Sequence, residues 1–81
     1  MSSSVKIVPD DHAVAAEVRG EMLHVKLADG RELLVPLAWF PRLLEATEAQ
    51  RRNCRLIGPG LGIHWPDLDE DISVRGLLQV S

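Results

Sequence analysis

The stretch Met22-Leu-His-Val-Lys-Leu-Ala-Asp-Gly-Arg-Glu-Leu-Leu-Val-Pro36 decides the fold. Up to Leu27 it alternates. Met22, His24 and Lys26 share one side, while Leu23, Val25 and Leu27 share the other. An apolar face that recurs every second residue specifies a half-buried strand. Asp29-Gly30 follows as a hairpin signal, because a type I′ turn needs positive φ at both central residues. Arg31 to Val35 is the returning strand, ended by Pro36. Upstream, Ala13 to Val18 is mostly apolar and fits either a strand or a helix, with a third strand the preferred reading, and it reverses through Arg19-Gly20-Glu21, where glycine reaches positive φ cheaply. The N-terminal half is therefore predicted to be an antiparallel meander. Val5, Ile7 and Val8 suggest a short strand stopping at Pro9, which cannot donate to a ladder. Asp10, Asp11 and His12 read as a turn, and Met1 to Ser4 as a loose end.

Beyond Pro36 the period changes. Leu37, Phe40, Leu43, Leu44 and Thr47 recur at three- and four-residue spacings along one helical stripe. Pro41 restricts Phe40 and removes a donor. The expectation is a short turn before it and one main helix from about Pro41 to Asn53. Glu45 and Glu48 lie early and Arg51 and Arg52 late, as the helix dipole favours. Pairing of Glu48 with Arg51 or Arg52 adds about 0.2–0.5 kcal/mol. Cys54 to Ile57 and Gly62 to Trp65 then read as strands around a Gly58-Pro59-Gly60 turn. Pro66 to Asp71 reads as loop, and Ser73 as the cap of a short helix from Val74 to Gln79. The predicted class is α+β, one domain over residues 1–81. A small antiparallel sheet, an N-terminal meander plus a C-terminal hairpin, packs on one main helix with a short C-terminal helix.

Composition narrows the function. The 81 residues are 46% hydrophobic, with 9 Lys and Arg against 12 Asp and Glu, a net charge of -3. That apolar share argues against disorder, and no apolar run approaches the roughly 20 residues of a membrane helix. Met1 to Pro9 shows no signal-peptide pattern. A lone cysteine, Cys54, allows no internal disulfide and suits a reducing cytoplasm. Mild acidity argues against general nucleic-acid affinity.

The chemical motifs mostly fail on inspection. Asp67, Asp69 and Asp71 alternate as in a calcium loop, but Ile72 and Leu78 stand where that loop needs glycine and glutamate. His12, His24 and His64 share no ligand spacing and no second cysteine joins them, so no metal or other cofactor is expected. Cys54 beside Arg51, Arg52 and Arg55 would favour a thiolate, and His64 could complete a pair; a buried structural cysteine is the preferred reading. Gly58, Gly60 and Gly62 lack the lysine of a phosphate loop. No nucleophile elbow accompanies Ser73. Arg42, Arg51, Arg52 and Arg55 form the one candidate basic face, while Trp39, Phe40 and Trp65, the only aromatics, are all expected in the core.

The segments Trp39-Phe40-Pro41-Arg42-Leu43, Ala46-Thr47, Gln50-Arg51, Gly60-Leu61-Gly62-Ile63-His64-Trp65-Pro66, Leu68-Asp69-Glu70-Asp71-Ile72-Ser73-Val74 and Gly76-Leu77-Leu78 form a distinctive string. Together with the Asp-Gly hairpin they resemble the small prokaryotic proteins of domain of unknown function (DUF) family 2442, over nearly the whole chain after Pro9. The resemblance implies an α+β fold with a curved antiparallel sheet and a helix, and no established activity. No catalytic residue carries over. Genes of this type often neighbour another small protein, which implies a toxin–antitoxin-like pair with this member neutralising. Relatives that continue into a helix-turn-helix imply a regulator; no such extension follows Gly76 to Ser81, so direct operator binding is not expected.

Two roles suit the same residues. His64 and Trp65 can pack on Phe40 and Leu43 while Asp69, Glu70 and Asp71 cap donors or pair with Arg42 and Arg51, latching the loop to the helix. Alternatively, Arg42, Arg51, His64, Trp65, Asp69, Glu70 and Asp71 line a groove for a ligand or partner. The leading expectation is a non-enzymatic cytoplasmic interaction module, antitoxin-like, with a small protein partner and a homodimer as a further expectation. One alternative is a DNA-associated regulator working through Arg51, Arg52 and Arg55. Another is an enzyme or ligand binder that uses His64 with Asp69 or Glu70. No membrane association is expected.

Overall fold

The computed structural model describes residues 8–79. Two three-stranded antiparallel sheets, with orders β1-β2-β3 and β4-β5-β6, enclose one core with three short helices. The α+β class is as the sequence predicts. The first sheet comprises β1 (Ala13–Arg19), β2 (Met22–Leu27) and β3 (Glu32–Pro36). Leu23, Val25 and Leu27 of β2 are at most 1% exposed, so the alternating face is the buried one. Across β2, Leu23 faces Val35 and Val25 faces Leu33, which sets the register. Gly20, at φ 59, makes the tight reversal into β2.

The β2–β3 connection is not the type I′ turn that Asp29-Gly30 suggests. Only Gly30 has positive φ, at 99°, and the loop spans three residues, closed by Gly30 N–H to Leu27 C=O at 3.0 Å and Leu27 N–H to Arg31 C=O at 2.8 Å. Such a loop needs one left-handed residue rather than two. The Asp29 carboxylate is engaged instead. It accepts from the Arg31 guanidinium and from the backbone N–H groups of Asp10 and Arg31, which together hold its carboxyl far below the usual carboxylate range. Asp10 in turn accepts from His12 N–H at 3.0 Å, a local link across the expected turn. The strand expected at Val5, Ile7 and Val8 lies largely outside the described residues, as does the loose end Met1 to Ser4. Val8 itself is 83% exposed and in no strand.

The expected main helix is broken. A 3-10 turn over Leu37–Trp39 leads into α1 (Pro41–Leu44), and α2 (Glu48–Arg52) starts afresh. Thr47 causes the restart. Its hydroxyl accepts from Gln50 N–H at 3.1 Å while Gln50 Oε1 accepts from Thr47 N–H at 3.0 Å, a reciprocal cap that opens a helix rather than continuing one. Asn53 ends α2 as expected.

The second sheet comprises β4 (Arg55–Ile57), β5 (Gly62–Trp65) and β6 (Glu70–Ser73). The loop expected to reach Asp71 ends at Asp69, and Ile72 turns inward opposite Ile63 as the centre of a third strand. Ser73 caps α3 (Val74–Leu78) by accepting from Gly76 N–H at 3.1 Å. The core joins Leu23, Val25, Leu27 and Val35 of the first sheet to Leu37, Leu43, Ile63, Trp65, Ile72 and Val74. Each fully buried aliphatic side chain contributes about 1.5–3 kcal/mol.

The sheets meet where Ala13 N–H donates to Gly60 C=O at 2.8 Å. Gly60 sits at φ 104, and a Cβ there would lie 2.1 Å from the Ala13 carbonyl oxygen. Gly20 also has positive φ but faces open space. Gly60→Ala is therefore expected to cost about 3 kcal/mol or more, and Gly20→Ala only about 1 kcal/mol, in urea unfolding. Equal losses would show that the Gly60–Ala13 junction opens without penalty.

Candidate functional site

The residues singled out in sequence separate into two places. The first is the interior side of β5. Trp65 is fully buried, and its Nε1–H donates to the Arg51 carbonyl at 3.0 Å. The Arg51 side chain turns the other way: Nε donates to Leu43 C=O at 2.9 Å, Nη2 to Leu44 C=O at 2.6 Å, and Nη1 reaches Gly20 C=O at 3.5 Å. A guanidinium thus satisfies the last carbonyls of α1, which a helix cannot satisfy itself. Arg42 does the same for the turn after β5, donating to Leu68 C=O and Asp69 C=O, both at 3.3 Å. Asn53 Nδ2 adds a bond to Asp67 Oδ2 at 3.0 Å. A latch between helix and loop exists, but Arg42 and Arg51 bind carbonyls rather than the carboxylates of Asp69, Glu70 and Asp71. Asp69 stands in that turn at φ 51.

The second place is the outer face of the second sheet. Cross-strand register lines up Arg55, His64 and Asp71 in one row. His64 Nδ1 is bonded to the Asp71 carboxylate, while Glu70 lies opposite Trp65 on the other face. The carboxylate that orients His64 is thus Asp71, not Asp69 or Glu70. The row borders a shallow, open hollow with Leu56, Ile57 and Gly58. An imidazole held at Nδ1 can exchange a proton at Nε2, the arrangement of a general base. Acyl or phosphoryl chemistry also needs a nucleophile and donors for developing charge. Ser73, the hydroxyl two positions along on the same face, is occupied in capping α3.

The remaining candidates are dispersed. Burial raises the Cys54 thiol, and its Sγ lies 3.8 Å from the Ala16 carbonyl oxygen, so a reactive thiolate is disfavoured. Arg52 pairs with Glu48 at 3.6 Å, Arg51 is spent on α1, and Arg55 belongs to the His64 row. Among the described residues no three His, Cys, Asp or Glu side chains gather as a metal site, and no helix is long and apolar enough to cross a membrane.

The sequence places all three aromatics in the core, and the structure corrects this for one of them. Trp39 is not core: its side chain sits on the 3-10 turn, 51% exposed. Phe40 is partly buried against the core and only Trp65 is sealed. The helical stripe through Leu37 and Phe40 passes over Ala38 and Trp39, so the outward position of Trp39 was readable in that spacing.

A family model described as "Protein of unknown function (DUF2442)" matches residues 13–80. The chain is also similar to a protein of unknown function from Rhodospirillum rubrum ATCC 11170, known from a crystal structure. The two share 29% identity with a TM-score of 0.74, over 83% of each chain. No curated protein matches the chain.

The Arg51 contacts generate a specific expectation. Lysine keeps the charge but presents one ammonium in place of a planar fork, so it cannot span Leu43, Leu44 and Gly20. Arg51→Lys should destabilise the fold by about 2 kcal/mol, read from the urea midpoint at unchanged slope. A midpoint equal to that of the wild type would mean the guanidinium bonds contribute nothing net.

Proposed function

Since the chain belongs to the DUF2442 family, whose members carry no assigned activity, its own geometry has to argue its role, and we propose that it is a non-enzymatic protein-interaction module. The observation that carries this reading is the indole of Trp39, half exposed on the 3-10 turn between Leu37, which is fully buried, and Phe40, which packs on the core. Exposed tryptophans anchored on ordered backbone are the residues on which interface energy concentrates. Leu44 of the adjoining α1 is a further exposed apolar side chain. Several polar side chains are committed to the fold, Arg51 and Arg42 to carbonyls and Ser73 to a helix cap, and the His64–Asp71 pair has no free nucleophile beside it among the described hydroxyls of its face. The hollow beside His64 is open to solvent, whereas small-substrate sites enclose most of their ligand.

The partner in this reading is another small protein, which the chain covers in the manner of an antitoxin. The site of action is the cytosol, in keeping with a single cysteine. Affinity purification of the tagged chain from its native cytosol tests it. Wild type should retain one small protein in stoichiometric yield, and Trp39→Ala should lose at least about tenfold in affinity at an unchanged Tm. Equal retention by wild type and Trp39→Ala, or no stoichiometric partner for wild type, would contradict the proposal.

A further inference from the structure

The outer edge of β3 carries a self-complementary pattern. Arg31 C=O and Leu37 N–H bond to Leu27 and Glu21 on the β2 side, so along β3 the odd-numbered residues turn their backbone groups towards β2. Antiparallel ladders alternate, and the backbone groups of Glu32, Leu34 and Pro36 therefore face away. Among the described residues no strand lies alongside that edge. The opposite edge of this sheet is different, because β1 meets the second sheet through Ala13, Ala16 and Gly60.

Natural edges are usually blunted by a charge or a bulge at their centre. Here the centre is Leu34, 60% exposed. Pro36 lacks an N–H, which blocks many strand additions but not a two-fold one. With Leu34 of one copy opposite Leu34 of another, the two Leu34 residues exchange both backbone bonds. Each Glu32 N–H then donates to the Pro36 C=O of the other copy, which only has to accept. Side chains agree with the same register. Leu34 meets Leu34 on the outer face, Leu33 meets Val35 twice on the core face, and Glu32 faces Pro36, so no like charges oppose. A one-residue slip sets Leu34 opposite Leu33, outer face against core face, which side-chain facing makes costly, and a two-residue slip puts Arg31 opposite the buried Val35.

We propose that two copies of this chain pair antiparallel along β3, centred on Leu34, into a continuous six-stranded sheet. The contact is isologous, with the same patch on both subunits, and it closes as a dimer rather than growing into a filament. It does not rest on the Trp39 side chain, so either proposal can fail without the other.

Sedimentation or light scattering of the full chain at about 100 µM, where a dimer of roughly 10 µM Kd is mostly assembled, reads the outcome directly. Wild type should have twice the 9.0 kDa chain mass. Leu34→Lys should return to the single-chain mass with its fold intact by circular dichroism, whereas Val14→Lys, at another exposed position of the same sheet, should stay dimeric. Leu34→Ser repeats the test with a gentler change. In wild type, the amides of Glu32 and Leu34 should gain hydrogen-exchange protection with concentration. A wild-type chain at single-chain mass, with the edge left to another segment or another protein, would overturn the proposal. So would a Leu34→Lys variant that remains dimeric.

Discussion

The hydrogen bond from the Trp65 indole to the Arg51 carbonyl holds the rest of the molecule in place. Arg51 is bound from both ends: its carbonyl accepts from β5, and its guanidinium donates to Leu43 and Leu44 at the end of α1. Helices α1 and α2 have four and five residues, far below the roughly 12–15 at which an isolated helix becomes marginal. Neither would persist without tertiary contacts. One residue and one buried ring therefore tie α1 and α2 to the sheets, beside the buried Leu37 and Leu43, and Arg51 reaches across to Gly20 at the β1–β2 turn. Most of the buried aliphatic core could be formed by other apolar side chains of like size. The paired polar atoms could not, since a buried indole N–H left without an acceptor costs about 1–3 kcal/mol.

A second constraint sits at the sheet junction. Gly60 brings the turn between β4 and β5 against the Ala13 backbone so closely that no side chain fits. The β-bulge at Ala13 to Ala15 bends β1 at the same place. Together the junction and the Arg51 clasp leave β3 as the far edge of the first sheet and the Arg55–His64–Asp71 row as the outer face of the second. Trp39 projects from the turn between them in sequence. The surfaces available for recognition are thus by-products of how two small sheets are tied together.

The meander was legible because alternation over Met22 to Leu27 leaves one register that buries all three apolar residues. Other features were hidden by competition. Asp29-Gly30 carries the residues of a type I′ turn, yet the bonds that Asp29 makes to Arg31 and Asp10 come from outside any two-residue window. The helix break was written in Thr47 and Gln50 as a capping box, but a continuous apolar stripe outweighed it. β6 went unread because Asp69-Glu70-Asp71 looks like a loop; its strand character comes from pairing with β5, which a short polar run cannot announce. At the candidate site, the sequence picked out His64, Trp65, Arg42 and Arg51 as a group. It could not tell that β5 sends His64 and Trp65 to opposite faces with different partners, since that depends on which side of the strand is covered.

The chain carries two tryptophans, and their indole N–H groups report on the central interaction side by side. Hydrogen exchange followed by NMR should find the Trp65 indole protected as strongly as the slowest amides of β5, opening only when the whole domain unfolds. The Trp39 indole should exchange at nearly the rate of a free side chain. If the Trp65 indole exchanged as fast as that of Trp39 while the β5 amides stayed protected, the clasp between Trp65 and Arg51 would not be what holds the helices to the sheets.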